Sequence, residues 1–387
     1  MRIVYYSTPW FMDCDLPLIK ALHQKGHEIY YLLSVNPHSQ NATILGNCTL
    51  KNEFGLFPAK EYTCLQRFKD YFPLENWYIV NDPQGTAKGI SGLLNSAKLV
   101  NKVSQLISSL KCDILHVSGI QRNFGLLLSY RFRAKLVTTM HDPIPHDPSS
   151  ISKFRYWSAW LYFRLPRRII LLNKQQTQAF CKRYSLSAKN IDYARLGVYD
   201  CMSLFNKGQI KIDKPFVLFF GRIQHYKGVD LLIKAMKMVH ASLPELKLVV
   251  AGKGDVKEVI DKSYTTFINE YISTEDLAGL LKDALFTICP YLTATQSGVI
   301  STAFAMNSPV LSTNVGGMKE SIKDGETGIL IEPNNEMKLA NAIIDLYKNE
   351  NLRNQIKLNI KEEVETGYYS WNKIAEIYIA SYNKITK

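Results

Sequence analysis

Short apolar runs recur along the chain, and stretches with helical spacing lie between most of them. In the first half the runs are RIVYY (2–6), EIYYLL (28–33), DILHV (113–117), KLVTTM (135–140), RIILL (168–172) and NIDYAR (190–195). In the second half they are FVLFF (216–220), LKLVVAG (246–252), LFTIC (285–289), PVLST (309–313) and GILI (328–331). Continuous apolar strands alternating with helices predict parallel sheets covered on both faces. The segments DLPLIKALHQKG (15–26) and GVDLLIKAMKMVHA (228–241) are helix-period examples, with Gly26 as a C-cap. The alternation pauses in the polar stretch 197–215, which predicts a boundary between two doubly wound α/β domains. The tail reads as helices, and the last, 370–386, carries a capping Ser and an apolar stripe.

Composition adds little to this frame, but charge and cysteine do. The 387 residues are 46% hydrophobic and 21% charged, enough for two ordinary globular domains. No apolar run reaches the ~20 residues of a membrane-spanning helix. The start of the chain lacks a signal-peptide pattern. Seven scattered cysteines with no CxxC predict free thiols in a reducing compartment, hence a cytoplasmic protein. The net charge of +13 favours anionic partners. Nucleic acid is not expected, because no recognition-helix, RNP-like or Cys/His-finger pattern is present. Contact with an anionic membrane at its inner face is the alternative. The mixture of basic and aromatic residues in SKFRYWSAWLYFRLPRR (152–168) suits it, although a core helix with solvated cations would carry the same residues.

Candidate chemistry lies where strands end. In FVLFFGRIQHYKGVDLLIKAM (216–236) a buried strand stops at Gly221, and Arg222 and Lys227 follow just before a helix start. Two cations beside the N–H groups of a helix start suit a diphosphate. VVAGKGD (249–255) repeats strand and Gly-rich turn, with Gly252 and Gly254 permitting close backbone approach to a ligand. After LFTIC, the segment YLTATQSGVISTAFAM leads into a helix whose start offers Thr295, Gln296, Ser297, Gly298 and Val299 to an anionic or sugar-bearing ligand.

These stretches, with TQSGVISTAFAMNSPVLSTNVGGMKESIKDGETGILIEP, resemble the C-terminal half of a family 4 glycosyltransferase of GT-B fold over about residues 215–350. The N-terminal half fits more loosely, through DILHVSG and TTMHDPIPHDP. The resemblance implies two Rossmann-like domains facing a cleft: an acceptor-side domain at 1–200, a donor domain at 201–368, and a helix at 369–387 crossing back to the first. It implies retaining transfer from a nucleotide-diphosphate sugar, most simply a UDP-sugar, with no metal or other cofactor. Arg222 and Lys227 would hold the donor diphosphate, and Gly221 would line it. The N–H groups of Ser297, Gly298 and Val299 would face the sugar or diphosphate, and the backbone near Ile268 and Asn269 would meet the base. The family's two loop glutamates are replaced by Ala294 and Thr302, leaving Thr302 one hydrogen bond to the ribose.

In the first half, LVTTMHDPIPHDPSS ends a strand at His141 and Asp142. A His at a strand end can bond a sugar hydroxyl, and the resemblance puts His141 near the donor sugar, with Asp142 beside it and His146 further along. The loop YSTPWFMDCD (6–15) lacks the glycine turn of the family. Its Asp13-Cys14-Asp15 matches a D-x-D metal motif only formally, and Asp15 reads better as a helix N-cap. The expected acceptor is a glycan or lipid-linked precursor of a cell-surface polysaccharide. A nucleotide-sugar epimerase or a non-catalytic partner subunit of the same fold remain open.

Overall fold

The computed structural model describes residues 1–39, 44–46, 48–49, 51–83, 89–120, 125–144, 152–205, 208–294 and 297–386. It divides into two compact units, Met1–Leu196 with Trp371–Lys387, and Gly197–Ser370. Unit 1 runs β1 (Arg2–Ser7), α1 (Met12–Gln24), β2 (Glu28–Val35), β3 (Gly55–Pro58), β4 (Trp77–Asn81), α2 (Gly89–Ser109), β5 (Ile114–Ser118), α3 (Gly125–Arg131), β6 (Leu136–Met140), α4 (Lys153–Tyr162), β7 (Arg168–Leu171), α5 (Thr177–Tyr184) and β8 (Ile191–Tyr193). Unit 2 runs β9 (Phe216–Phe220), α6 (Val229–Ser242), β10 (Lys247–Ala251), β11 (Thr265–Ile268), α7 (Thr274–Asp283), β12 (Thr287–Cys289), α8 (Gly298–Ala305), β13 (Val310–Thr313), α9 (Met318–Ser321), β14 (Gly328–Ile331), α10 (Glu336–Lys348) and α11 (Glu350–Glu365). Helix α12 (Trp371–Thr386) then returns to unit 1.

Each unit is built on one sheet, ordered β3-β4-β2-β1-β5-β6-β7-β8 in unit 1 and β11-β10-β9-β12-β13-β14 in unit 2. All pairings are parallel except β3 with β4. The central strands are buried along nearly their whole length, β9 at every position, as the continuous apolar runs require. Chain order reverses direction between β1 and β5 and between β9 and β12. Open α/β sheets bind ligands beyond the carboxyl ends of strands at such reversals.

Three strands escape the sequence pattern. β4 is as apolar as its neighbours, but only 3-10 turns separate it from β3, so no helix-period segment announces it. β3 is a short edge strand ending at Pro58, and β11 begins inside a polar stretch. Helix α1 starts at Met12, so Asp15 is not its N-cap: Phe11 holds that position, and Asp15 lies buried within the helix. The expectation of seven free thiols is corrected as well. Cys48 and Cys64, 16 residues apart, form a disulfide, while Cys14, Cys112, Cys181, Cys201 and Cys289 are outside any disulfide.

Helix α12 docks on unit 1 through polar groups as well as its apolar stripe. Tyr382 donates its hydroxyl to His116 Nδ1 at 2.8 Å, and His116 Nε2 meets Thr139 Oγ1 at 2.9 Å. Thr139 donates in turn to the Tyr378 hydroxyl at 3.3 Å. Burial holds the His116 imidazole down to about 3, so it stays neutral in this layer. At the rim, Asp192 accepts from Ser381 at 2.7 Å and pairs with Lys384 and Arg168, each at 2.6 Å. Burial opposes ionisation of Asp192, but the bonds from Arg168, Lys384 and Ser381 outweigh it and hold the carboxyl at about 2.

Asp192→Asn should therefore destabilise unit 1 by roughly 1–2 kcal/mol, allowing for solvent screening of the exposed Lys384. A carboxyl depressed in the folded state contributes above its unfolded value and loses that contribution as pH falls. The gap between wild type and variant should be full at neutral pH and shrink from about pH 4 towards pH 2. Chemical denaturation across that range checks it, and a pH-independent gap would exclude the carboxylate as the cause.

Candidate functional site

The candidate site in unit 2 is built where β9 and β12 end. β9 stops at Gly221, whose φ of +109° is a backbone state that L side chains rarely adopt. Beyond it, Gln224 opens a 3-10 turn (His225–Lys227), and Gly228 at φ +68° leads into α6. This turn folds Lys227 back over the strand end. A Cβ placed on Gly221 would lie 3.0 Å from Lys227 Nζ and 3.7 Å from Val299 Cγ2. Lys227 Nζ also lies 5.2 Å from the centre of the buried Tyr291 ring. The strand end, the ammonium and the first turn of α8 are thus brought together. Arg222 is exposed beside them.

Burial pulls the Lys227 ammonium down to about 8, and repulsion from Arg222 works in the same direction. Among the described residues, neither Lys227 nor Arg222 forms an ion pair. A desolvated cation without an acid is costly to keep, and it is a ready receptor for an anion.

The remaining expected residues are placed variously. Ser297 is the N-cap of α8 but makes no side-chain cap bond, and its hydroxyl lies 3.5 Å from the Tyr291 hydroxyl. Gly298 stands against Tyr199, where a Cβ would lie 3.0 Å from the phenolic oxygen. The buried Thr302 donates its hydroxyl to Gly298 O at 2.8 Å, so it is turned onto its own helix and not outward to a ribose. Gly252 and Gly254 do permit close approach, but to protein: a Cβ on them would lie 1.9 Å from Gly221 O and 2.2 Å from Ile223 O. Ile268 O accepts from Gly252 N at 2.9 Å, and Asn269 Oδ1 accepts from Gly254 N at 3.0 Å. Both residues therefore hold the Gly turn in place. Thr295, Gln296 and His146 lie outside the described residues. Gly316, at φ +49°, brings the Gly-Gly turn against the loop before α8, where a Cβ would strike Ala294 O at 1.6 Å.

Unit 1 assembles a second polar constellation at the carboxyl ends of β1, β5 and β6. His141 follows β6, stacks on Phe11 with centroids 3.9 Å apart, and places Nε2 2.9 Å from Ser118 Oγ. Ser118 donates to Asp15 Oδ1 at 2.9 Å, so its oxygen accepts the proton on His141 Nε2. Nδ1 then faces the Cys14 sulfur at 3.8 Å. Burial takes the His141 imidazole down to about 3, leaving it neutral. Asp15 also accepts from Tyr5 at 2.7 Å and from Ser7. Burial still lifts its carboxyl to about 7. Asp142 beside His141 is exposed.

Ligand atoms of Cys14, Asp15 and His141 lie within 4.8 Å of one another, the spacing a metal ion would need. Three hydroxyl donors on Asp15 would have to yield first, which favours a hydrogen-bonded relay over a metal centre. The small cavity beside it is lined by Thr139, Arg195, Trp371 and Tyr378 along with these groups. Sequence reasoning missed Ser118 and Tyr378. Ser118 is legible only as the last polar residue of an apolar strand, and Tyr378 lies more than two hundred residues from the strands it meets.

Residues 203–363 match the family model described as Glycosyl transferases group 1. The chain is 27% identical over 296 residues to an uncharacterized glycosyltransferase of Methanocaldococcus jannaschii, covering 74% of this chain and 78% of that protein. It is 27% identical over 186 residues to the D-inositol 3-phosphate glycosyltransferase of Paenarthrobacter aurescens, with 45% of each chain covered. The match thus spans less than half of that relative's length. Among solved structures, Anabaena HepE in complex with UDP and glucose superposes with a TM-score of 0.63 at 16% identity, covering 99% of this chain and 100% of that one. The mixed α/β fold with two parallel-dominated sheets is that of GT-B glycosyltransferases.

The unpaired Lys227 generates a stability prediction. A lysine whose folded value is lowered from 10.5 to about 8 destabilises the fold fully below pH 8, and this cost fades to nothing as pH rises to 10.5. Lys227→Met should raise the stability of unit 2 by up to about 3 kcal/mol at neutral pH, and by little at pH 10.5. Denaturant melts at both values check this. A destabilised variant at pH 7 would mean that Lys227 is held by structure and not reserved for a ligand.

Proposed function

We propose that the chain is a retaining GT-B glycosyltransferase of family 4 type that moves a sugar from a nucleotide-diphosphate sugar, a UDP-sugar, to a glycan or lipid-linked acceptor. The observation that carries this reading is the half-buried Lys227 ammonium, without an ion-pair partner among the described residues and folded over Gly221 beside the start of α8, with Arg222 next to it. The UDP and glucose in the HepE neighbour support the donor class. The transferase names of the relatives support the reaction class. Polysaccharide assembly as the setting draws support from a further relative, a Staphylococcus aureus capsular polysaccharide biosynthesis glycosyltransferase.

In this reading the bond between the sugar anomeric carbon and the diphosphate oxygen breaks, and negative charge grows on that oxygen. Arg222 and Lys227 bind the diphosphate and stabilise the growing charge, which acts on the transition state more than on the bound donor. The N–H groups at the start of α8, at Gly298 and Val299, add donors to the same region. The acceptor hydroxyl attacks from the face the diphosphate leaves, and its proton passes to the departing oxygen. No enzyme carboxylate is needed for that step, in keeping with Ala294 and Thr302 at the loop. His141, held neutral, serves as a hydrogen-bonding group and not as an acid. The two cations replace the charge a metal would bring, so a chelator should leave activity intact.

Arg222→Ala should lower transfer by at least ~100-fold while leaving the melting temperature within a degree or two, because the side chain is exposed. Thermal shift against UDP, GDP and ADP, followed by a transfer assay with the stabilising nucleotide's sugars, measures both. Near-normal transfer by the variant would remove the diphosphate assignment. No stabilisation by any nucleotide would favour a partner subunit without donor binding. Nucleotide affinity should also weaken as pH rises above about 8, where Lys227 loses its proton. Titration calorimetry in buffers of different ionisation enthalpy should show proton uptake on binding between pH 8 and 10.

A further inference from the structure

The positive charge of this protein is confined. Residues 114–191 contain thirteen Lys and Arg against two Asp and Glu, a net of +11 out of the chain's +13. From 148 to 191 there are nine Lys and Arg and no acid. Helix α4 lies at the centre of this stretch. It buries Ala159 and Tyr162 against the cluster formed with Phe163, Phe180 and Tyr184. Its opposite stripe consists of Phe154, Trp157 and Leu161, which are 82%, 56% and 51% exposed. Their i, i+3, i+7 spacing puts them on one face. Lys153 and Arg155 flank Phe154 and are exposed. At the other end, the Arg164 guanidinium stacks 3.1 Å over the Trp160 ring. α5 adjoins through the bond from the Tyr156 hydroxyl to Arg183 O and adds exposed Lys182. α3 packs Leu126 on the same cluster and leaves Leu127 and Tyr130 exposed.

We infer that α4 is a docking helix for an anionic lipid bilayer, lying in the plane of the interface with Phe154, Trp157 and Leu161 inserted. A solvated face has no use for three large apolar side chains in one row. An amphipathic helix with Trp and Phe on one face and Lys and Arg beside it matches the headgroup boundary, where rings enter the acyl edge and cations meet phosphates. The absence of acids over 148–191 removes the repulsion that would oppose an anionic surface. The helix is ten residues long and cannot span a bilayer. Docking here goes beyond the transferase reading and requires no donor, so either can fail without the other.

The test is co-sedimentation of the full chain with phosphatidylcholine vesicles and with vesicles that also contain phosphatidylglycerol. Anionic vesicles should bind at least about tenfold more tightly than neutral ones, since several basic residues act together. Added salt should weaken the difference. The double variant Phe154→Ser, Trp157→Ser should lose about tenfold in affinity for anionic vesicles while keeping its melting temperature and its nucleotide thermal shift. Lys153→Gln with Arg155→Gln should reduce the preference for anionic over neutral vesicles. Equal binding to both vesicle types, no binding, or binding unaltered by the aromatic variant would overturn the proposal. So would tighter capture by RNA than by anionic vesicles, which would make the basic stretch a nucleic-acid surface.

Discussion

The candidate site in unit 2 depends on one close backbone contact. Gly252 packs so tightly on the Gly221 carbonyl that no side chain fits between them, and Gly254 does the same at Ile223. This contact locks the segment leaving β9 against the turn leaving β10. The chain must then reverse within the 3-10 turn His225–Lys227, and the reversal lays the Lys227 ammonium over the strand end. Gly228, pressed against the Pro290 carbonyl, ties the same turn to the loop before α8. The glycines thus act on the candidate site indirectly, by setting the position of the Lys227 ammonium.

Unit 1 solves a different problem, that of keeping polar groups dry. Asp15, Ser118 and His141 form one hydrogen-bonded string at the ends of the central strands, and Tyr382, His116, Thr139 and Tyr378 form another. Two imidazoles remain neutral there because burial penalises the charged form of each. A layer of this kind orients groups accurately but leaves little freedom to take on a metal or an extra proton.

Much of the architecture was legible because buried parallel strands carry continuous apolar runs, and eleven of them stand out in the sequence. The gaps have physical causes. β4 lacks a helical prelude, β11 opens in a polar stretch, and α1 hides its start behind the 3-10 turn at Pro9–Phe11. For the site, the placement of Arg222 and Lys227 between a strand end and a helix start was legible from the pattern, but the folding of Lys227 back over Gly221 was not. The roles of Gly252, Asn269 and Thr302 were not, because a glycine that meets a ligand and a glycine that meets a carbonyl look alike in sequence. Nor could pattern reveal the Cys48–Cys64 pair, which depends on a fold of 3-10 turns that has no periodic signature. Ser118 needed the spatial neighbours Asp15 and His141 to acquire meaning.

The return of α12 to unit 1 has a consequence for biogenesis. The first 196 residues leave the ribosome before the helix that covers His116 and lines the cavity with Trp371 and Tyr378 has been made. Domains tend to fold in order of synthesis, but unit 1 lacks one of its segments until α12 has been made. Unit 2, contiguous from Gly197 to Ser370, can close on its own core while unit 1 still waits for its last element. During that interval the buried face of β1, β5 and β6 is open to solvent and to chaperones. Translation must run past Tyr382 before the polar group around His116 and Thr139 is complete.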